Sequence, residues 1–356
     1  MTLRFSSLPD LLDHGYDTVI DVRSPSEFAE DHIPGAQNLP VLSDAERAEV
    51  GTIYVQDSPF LARKIGAAKV FANAAAHIAG PLANHPGGWR PLVYCWRGRQ
   101  RSGAFRWMLG EIGWRADAID GGYQSYRRLV NRMLYDTPLP HPLILLDGYT
   151  GTAKTALLAH LHARGVQVVD LERLAGHRGS LLGALAHPQP AQKMFESALA
   201  QALCGLDPAR PVVVEAESSK IGERSLPPAV WQAMKSAPRI MIEADLDART
   251  TYLTQAYDDI LSDAAQLRAK LGGLRAVRGH AVIDGWFDLI AAGDKAALTR
   301  ALITQHYDPA YASARKRTHP QFLATVQAPA LDAEALGTVA ARIERLVDQV
   351  PVANAS

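Results

Sequence analysis

Short, almost uninterrupted apolar runs recur along the chain, each separated from the next by longer stretches whose apolar residues recur three and four apart. The runs Thr18–Val22, Pro91–Cys95, Leu143–Asp147, Val166–Asp170, Val212–Glu215 and Ile240–Glu243 predict buried strands. Ala153–Arg164 and Gln192–Cys204 have helical spacing, and Asp332–Val350 predicts a final helix. Strands with no polar face, alternating with helices, imply parallel sheets covered on both sides, which is an α/β fold. Asp136–Pro142 carries three prolines just before a fresh strand and is the best candidate linker. The expected domains are therefore 5–137 and 138–350, with 351–356 as a frayed tail.

Length agrees, since 356 residues at roughly 100–200 per domain make two domains. Apolar residues make up 47%, enough for ordinary cores. Lysine plus arginine and aspartate plus glutamate number 37 each, which excludes nucleic-acid binding through overall positive charge and leaves a local basic patch open. Two cysteines, Cys95 and Cys204, make neither a disulfide framework nor a four-cysteine metal site. The histidines form no H-x-x-x-H pair and no cluster with cysteine, so no zinc is expected. No apolar run approaches the ~18 residues of a membrane span, and the N-terminus lacks a secretory pattern. A soluble, cytoplasmic protein is expected.

The first candidate site is Tyr94–Gly103, YCWRGRQRSG. A strand ends at Cys95, a loop holding Gly98 follows, and a helix is predicted to start near Ser102. Backbone N–H groups and a helix N-terminus can converge on one anion in such a turn. With Arg97, Arg99 and Arg101 nearby, the same field favours a thiolate at Cys95, a nucleophile for sulfur, selenium or phosphorus. The plainer alternative is a buried structural cysteine beside a solvated arginine run. Cys204, in the apolar helix pattern ALAQALCGL, reads as packing.

The second candidate site is Asp147–Thr155, DGYTGTAKT, between a strand and a helix. Gly148, Lys154 and Thr155 meet the G-x-x-x-x-G-K-[ST] pattern, with Ala153 at the second glycine. Backbone N–H groups from Thr150, Gly151 and Thr152 to Lys154 would cradle a diphosphate, Lys154 would neutralise it, and Thr155 could hold Mg²⁺. The loop tolerates the extra methyl if Ala153 has negative φ. Glu215 and Glu217 close a later strand, where a carboxylate could support Mg²⁺ or simply face solvent. His177, Arg178 and Ser180 could contact an anionic ligand or form a solvated turn.

Asp21-Val22-Arg23, Glu27-Phe28, HIPGAQNLP from His32, the Cys95 loop and Asp120-Gly121-Gly122-Tyr123 resemble, in order, the rhodanese domain over roughly residues 5–135. The resemblance implies a doubly wound α/β unit whose Cys95 carries the transferred chalcogen. Gln100 stands where sulfur-transferring rhodaneses place arginine, and Arg101 gives the C-x₅-R spacing of rhodanese-like phosphatases, suited to a tetrahedral anion. The long stretch from Pro40 to Trp89 exceeds a compact rhodanese connection and predicts an inserted helical feature.

A rhodanese domain followed by a phosphate-loop domain of the P-loop NTPase type resembles the bacterial tRNA 2-selenouridine synthases. ERAEVGTIY from Glu46, SPFLARKIGA from Ser58, WRPLVYCWRGRQRSG from Trp89, DLERLAGHRGSLLG from Asp170, VVVEAESSKIG from Val212 and HYDPAY from His306 carry this second resemblance. The chain departs from the family at Ala153, where glycine is usual. The resemblance implies a selenotransferase acting on tRNA with wobble-position 2-thiouridine, using geranyl diphosphate and then selenophosphate as co-substrates. Whether ATP binds is left open. Eight arginines against Glu111, Asp117 and Asp120 between Arg90 and Arg128 make a local basic region. There Trp96, Arg97 and Arg99 are candidate RNA or anion contacts, while Trp107 and Trp114 read as core. The rivals are a sulfurtransferase or phosphatase-like enzyme coupled to an ATP-binding kinase or switch domain, and a non-enzymatic nucleotide-sensing scaffold.

Overall fold

The computed structural model describes residues 1–97, 100–318 and 320–350, and of Thr318 the backbone only. The expected tail 351–356 lies outside the described residues. Two compact units are present: Met1–Pro138 with Pro190–Gly205, and Leu139–Gln189 with Leu206–Ser356. A single cut at 138 therefore does not divide them, because a second segment of the later chain belongs to the first unit.

The first unit holds β1 (Thr2–Leu3), α1 (Leu8–Leu12), β2 (Thr18–Asp21), α2 (Pro25–Glu30), β3 (Gln37–Asn38), α3 (Asp44–Gln56), α4 (Pro59–Ala79), β4 (Pro91–Tyr94), α5 (Gln100–Ile112), β5 (Asp117–Ile119) and α6 (Gly122–Asn131). Its five strands are all parallel, in the order β1-β5-β4-β2-β3. Parallel strands discharge their loops at one edge, so the turns after β2, β4 and β5 gather there. The predicted insertion is the pair α3 and α4. Ser43 and Glu46 form a capping box at the start of α3, and Ser58 caps α4 ahead of Pro59.

The second unit opens with β6 (Leu143–Gly148), α7 (Lys154–Ala163), β7 (Gln167–Val169) and α8 (Leu171–Ala175). Next comes α9 (Gln192–Cys204), the helix that belongs to the first unit. Glu196 fixes it there, accepting from the Arg127 guanidinium and from the Tyr135 hydroxyl at 2.7 Å. The second unit resumes with β8 (Val212–Glu215), the hairpin β9 (Lys220–Ile221) and β10 (Arg224–Ser225), α10 (Pro228–Ser236) and β11 (Arg239–Glu243). A helical run follows: α11 (Leu246–Ala256), α12 (Asp258–Leu261), α13 (Ala264–Gly272), α14 (Arg275–Arg278), α15 (His280–Ala292), α16 (Lys295–Leu302) and α17 (Asp308–Thr318). The chain ends with β12 (Phe322–Gln327) and α18 (Ala333–Val347).

The second sheet is also wholly parallel, ordered β12-β11-β6-β8-β7. Every residue of β6 is buried, and burying one aliphatic side chain contributes roughly 1.5–3 kcal/mol. That anchors the central strand and sets the position of the loop that leaves it. Among the described residues no helix is long and apolar enough to cross a membrane.

Candidate functional site

Cys95 follows β4 and is buried, 1% exposed. Its thiol Sγ lies 3.5 Å from the Arg97 carbonyl oxygen and accepts the Ser102 hydroxyl at 3.2 Å. Ser102 sits in the first turn of α5, so strand end and helix start close on the same sulfur. The base of the loop is held by α6, whose Tyr123 and Gln124 amides donate to the carbonyls of Cys95 (2.8 Å) and Trp96 (3.2 Å). This approach requires Gly122, which has φ +54°; a Cβ there would lie 2.2 Å from the Cys95 oxygen. The late double glycine thus positions the cysteine loop.

Beneath the loop, Arg23 is buried against Asp21 at 2.6 Å, and its guanidinium lies 3.9 Å from the centre of the Tyr123 ring. Arg101 donates to Glu27 at 3.0 Å, and Arg47 lies 3.3 Å from the same carboxylate. Burial works to raise the Glu27 carboxyl, but Arg101, Ser24 and Arg47 hold it below its ordinary value. Glu27 therefore offsets part of the positive field expected from the arginine run. Arg97 is exposed, and Trp96 is half-buried with its ring 5.2 Å from that of Tyr123. Gly98 and Arg99 lie outside the described residues. Trp114 is buried as expected, but Trp107 is 52% exposed, its ring edge-on to Phe71. The helical period alone did not show which face of α5 was covered. Cys204 is half-buried, with its sulfur 3.7 Å from that of Met133.

The phosphate loop leaves β6 at Gly148. Thr150, Gly151, Thr152, Ala153, Lys154 and Thr155 all line one cavity of about 260 Å³. Ala153 is the only non-glycine residue with positive φ among the described residues, at φ +55° and ψ 32°. The condition of negative φ is therefore not met. The left-handed conformation costs roughly 1–2 kcal/mol for a residue with a Cβ, and the methyl is buried in the apolar cluster beneath the loop. Lys154 Nζ donates to the Gly148 carbonyl at 3.1 Å. Arg249 braces the loop from outside, donating from Nε to the Thr150 carbonyl at 2.8 Å while Asp308 holds its other nitrogens.

Asp147, just before the loop, takes Arg239 at 2.9 Å and Arg315 at 2.8 Å. Burial would raise its carboxyl, but the two arginines keep it below the ordinary range. Thr155 donates its hydroxyl to Glu172 at 2.9 Å. Glu172 and Glu217 both line the cavity. Burial first, then the charge of Glu217, push Glu172 up to about 7 against the pull of Thr155 and Lys154. Burial also raises Glu217, although Lys154 opposes it.

Glu215 does not join this group. It is fully buried, accepts the Leu171 amide at 3.0 Å and ties β8 to α8. Its carboxyl is raised by burial and by Asp170. Arg178 and Ser180 do line the cavity, Arg178 paired with Asp259 at 3.0 Å and Ser180 3.4 Å from the Tyr257 hydroxyl. His177 is turned to structure instead: it accepts the Gly179 amide at 3.1 Å and bridges to Ala184. Glu172, Tyr252, Tyr257 and Tyr311 also line the cavity, and no sequence motif assigns them a role. Glu172 and Tyr311 lay within DLERLAGHRGSLLG and HYDPAY, so the motifs were visible where the roles were not.

Residues 5–129 match the family described as the rhodanese-like domain, and residues 141–281 match the tRNA 2-selenouridine synthase AAA domain. A tRNA 2-selenouridine synthase of Hahella chejuensis is 34% identical over 331 residues, covering 83% of this chain and 84% of its own. That of Cupriavidus pinatubonensis is 35% identical over 273 residues, covering 74% and 71%. That of Ectopseudomonas mendocina is 33% identical over 331 residues, covering 84% and 87%. With about a third of positions shared across most of both lengths, and both domains matched in order, the chain belongs to the tRNA 2-selenouridine synthase family.

Proposed function

We propose that this protein replaces the sulfur of wobble-position 2-thiouridine in tRNA by selenium in two steps, geranylation at the phosphate loop and selenation at the Cys95 loop. The observation that carries the reading is the pairing of two loops of different chemistry in one chain: a cysteine held by a hydroxyl, and a lysine-bearing loop lining a cavity. In the first step the uridine sulfur attacks the allylic carbon of geranyl diphosphate. A carbon–sulfur bond forms, the carbon–oxygen bond breaks, and diphosphate departs with the electron pair; the nucleoside proton passes to solvent. Lys154 and the loop amides stabilise the developing charge, while Tyr252, Leu253 and Tyr311 give the cavity an apolar wall for the chain.

Thr155, Glu172 and Glu217 offer the hard oxygen donors that suit Mg²⁺, and a cation would offset the burial that disfavours charge on the two neighbouring carboxylates. When bound, Mg²⁺ supplies further neutralisation of the leaving diphosphate.

In the second step selenophosphate adds through selenium to C2, and the carbon–sulfur bond breaks to release geranylthiolate, which solvent protonates. The phosphoryl group must then leave selenium. In this reading Cys95 takes it: a sulfur–phosphorus bond forms, selenium keeps the electron pair of the broken bond as the C2 selenocarbonyl, and water returns Cys95 and phosphate. Direct selenium carriage on Cys95, which the rhodanese resemblance implies, would require phosphorus to leave at the oxidation level of phosphite. The C-x₅-R spacing and the Ser102 hydroxyl on Cys95 Sγ support the phosphoryl route.

The test is nucleoside mass spectrometry on 2-thiouridine tRNA incubated with purified protein. Geranyl diphosphate alone should yield S-geranyl-2-thiouridine, and added selenophosphate should convert it to 2-selenouridine. Selenation without any geranylated species, at an undiminished rate when geranyl diphosphate is withheld, would refute the route.

A further inference from the structure

The inserted helices α3 and α4 line, with the start of α5, an open cavity of about 410 Å³ within the first unit. Its wall includes Leu42, Val50, Ala62, Val70, Tyr54 and Phe71, and its rim carries Arg63 and Arg101. Ligand cavities run from about 300 to 1,000 Å³, so this one can take a small apolar group. The recess behind the phosphate loop, of about 30 Å³, cannot. The helices themselves point the same way. No residue of α3 is buried despite Val50, Ile53, Tyr54 and Val55, and Tyr54 and Phe71 are 55% and 41% exposed. An apolar helix face left open toward a cavity is costly unless something covers it.

The place of the cavity identifies the occupant. Gln100, Arg101 and Ala104 of its wall belong to α5, and Ser102 on the same turn holds the Cys95 sulfur. Arg63, exposed on α4 beside the cavity, suits the phosphates of a nucleic-acid substrate, and the interior suits a hydrocarbon. We propose that this cavity receives the geranyl chain of S-geranylated tRNA during selenation, so that the C2 atom of the nucleoside is presented to the Cys95 loop. The proposal rests on the two-step route above. It gives the insertion a purpose that a rhodanese lacks: chain binding selects the alkylated nucleoside over 2-thiouridine and orients its leaving group.

The test compares single-turnover selenation of anticodon stem–loop RNAs bearing S-geranyl- or S-methyl-2-thiouridine, with selenophosphate in excess. The wild-type protein should prefer the geranyl substrate by about tenfold or more, equivalent to about 1.4 kcal/mol. Ala67→Phe fills the cavity from an exposed position on α4, and Ala104→Leu fills it from α5. In each the ratio of geranyl to methyl rates should fall about tenfold. An unchanged ratio in both variants overturns the cavity assignment, including the case in which both rates fall together. If the wild-type protein selenates 2-thiouridine RNA directly and leaves S-geranyl RNA unconverted, the two-step route itself is wrong, an outcome readable without either variant. Equal wild-type rates on the geranyl and methyl RNAs leave the route standing and refute the cavity.

Discussion

The amide of Tyr123 donates to the carbonyl oxygen of Cys95 at 2.8 Å, so the end of the first sheet's central strand is locked to the start of α6. Gly122 makes that lock feasible. Its φ of +54° and the 2.2 Å separation that a Cβ would have from the Cys95 oxygen both argue against any other residue. Gly122→Ala should lose roughly 1–2 kcal/mol from the left-handed conformation alone, and more from the displaced loop. Urea unfolding of the full chain checks this, and a change below about 0.5 kcal/mol would show that the loop adapts freely.

Ala153 offers the complementary case. Ala153→Gly removes left-handed strain of roughly 1–2 kcal/mol, but it also frees the unfolded chain by about 0.4–1 kcal/mol and loses a buried methyl worth about 0.8 kcal/mol. These nearly cancel, so stability should stay within about 1 kcal/mol of wild type. Ala153→Val keeps the conformation and adds β-branching, and it should cost more than about 2 kcal/mol. Thermal unfolding of the pair decides the matter; a well-tolerated valine would contradict the backbone assigned to this loop.

How far the sequence reveals a feature depends on what that feature rests on. Val212–Glu215 was readable to the residue because every position is buried and apolar up to its final carboxylate. Phe322–Gln327 was not, because it is a largely exposed edge strand with no clean period. The membership of α9 turns on Glu196 meeting Arg127, a contact between distant residues that periodicity does not encode. Cys95, Lys154 and Thr155 stood out through local motifs. Glu172 did not: DLERLA reads as an ordinary capped helix, with Asp170 as its cap, and only the fold of the second unit brings it to Thr155.

The Glu172 carboxyl, raised from 4.5 to about 7 by burial and Glu217, gives a pH signature. The folded state holds this proton more tightly than the unfolded chain, so the stabilisation is complete below about pH 4.5 and is lost as pH rises through 7. Glu172→Gln mimics the protonated form. It should match wild type near pH 5 and become the more stable protein near pH 8, with contributions from histidines cancelling in the difference. Parallel urea titrations would show it; a variant equally or less stable at pH 8 would mean that the carboxylate pair carries no strain.

The two cysteines should differ sharply. Burial pushes the Cys204 thiol up to about 11, which leaves it a poor nucleophile at neutral pH. Cys204→Ser should therefore form 2-selenouridine within about twofold of the wild-type rate, whereas Cys95→Ser should abolish 2-selenouridine formation, halting at the Se-phosphorylated nucleoside, while the protein stays folded. Equal losses in the two variants would remove the special role of Cys95.

The central claim is that each loop serves one half-reaction, and single-turnover assays of Lys154→Ala and Cys95→Ser on 2-thiouridine tRNA and on S-geranylated tRNA test it most directly. Lys154→Ala deletes a charge-assisted diphosphate contact worth about 1.5–3 kcal/mol, so geranylation should fall roughly 10- to 150-fold while tRNA supplied already geranylated is still selenated. Cys95→Ser should show the reverse. Wild-type geranylation by Lys154→Ala, or an equal failure of both steps in either variant, would contradict the division of labour between the loops.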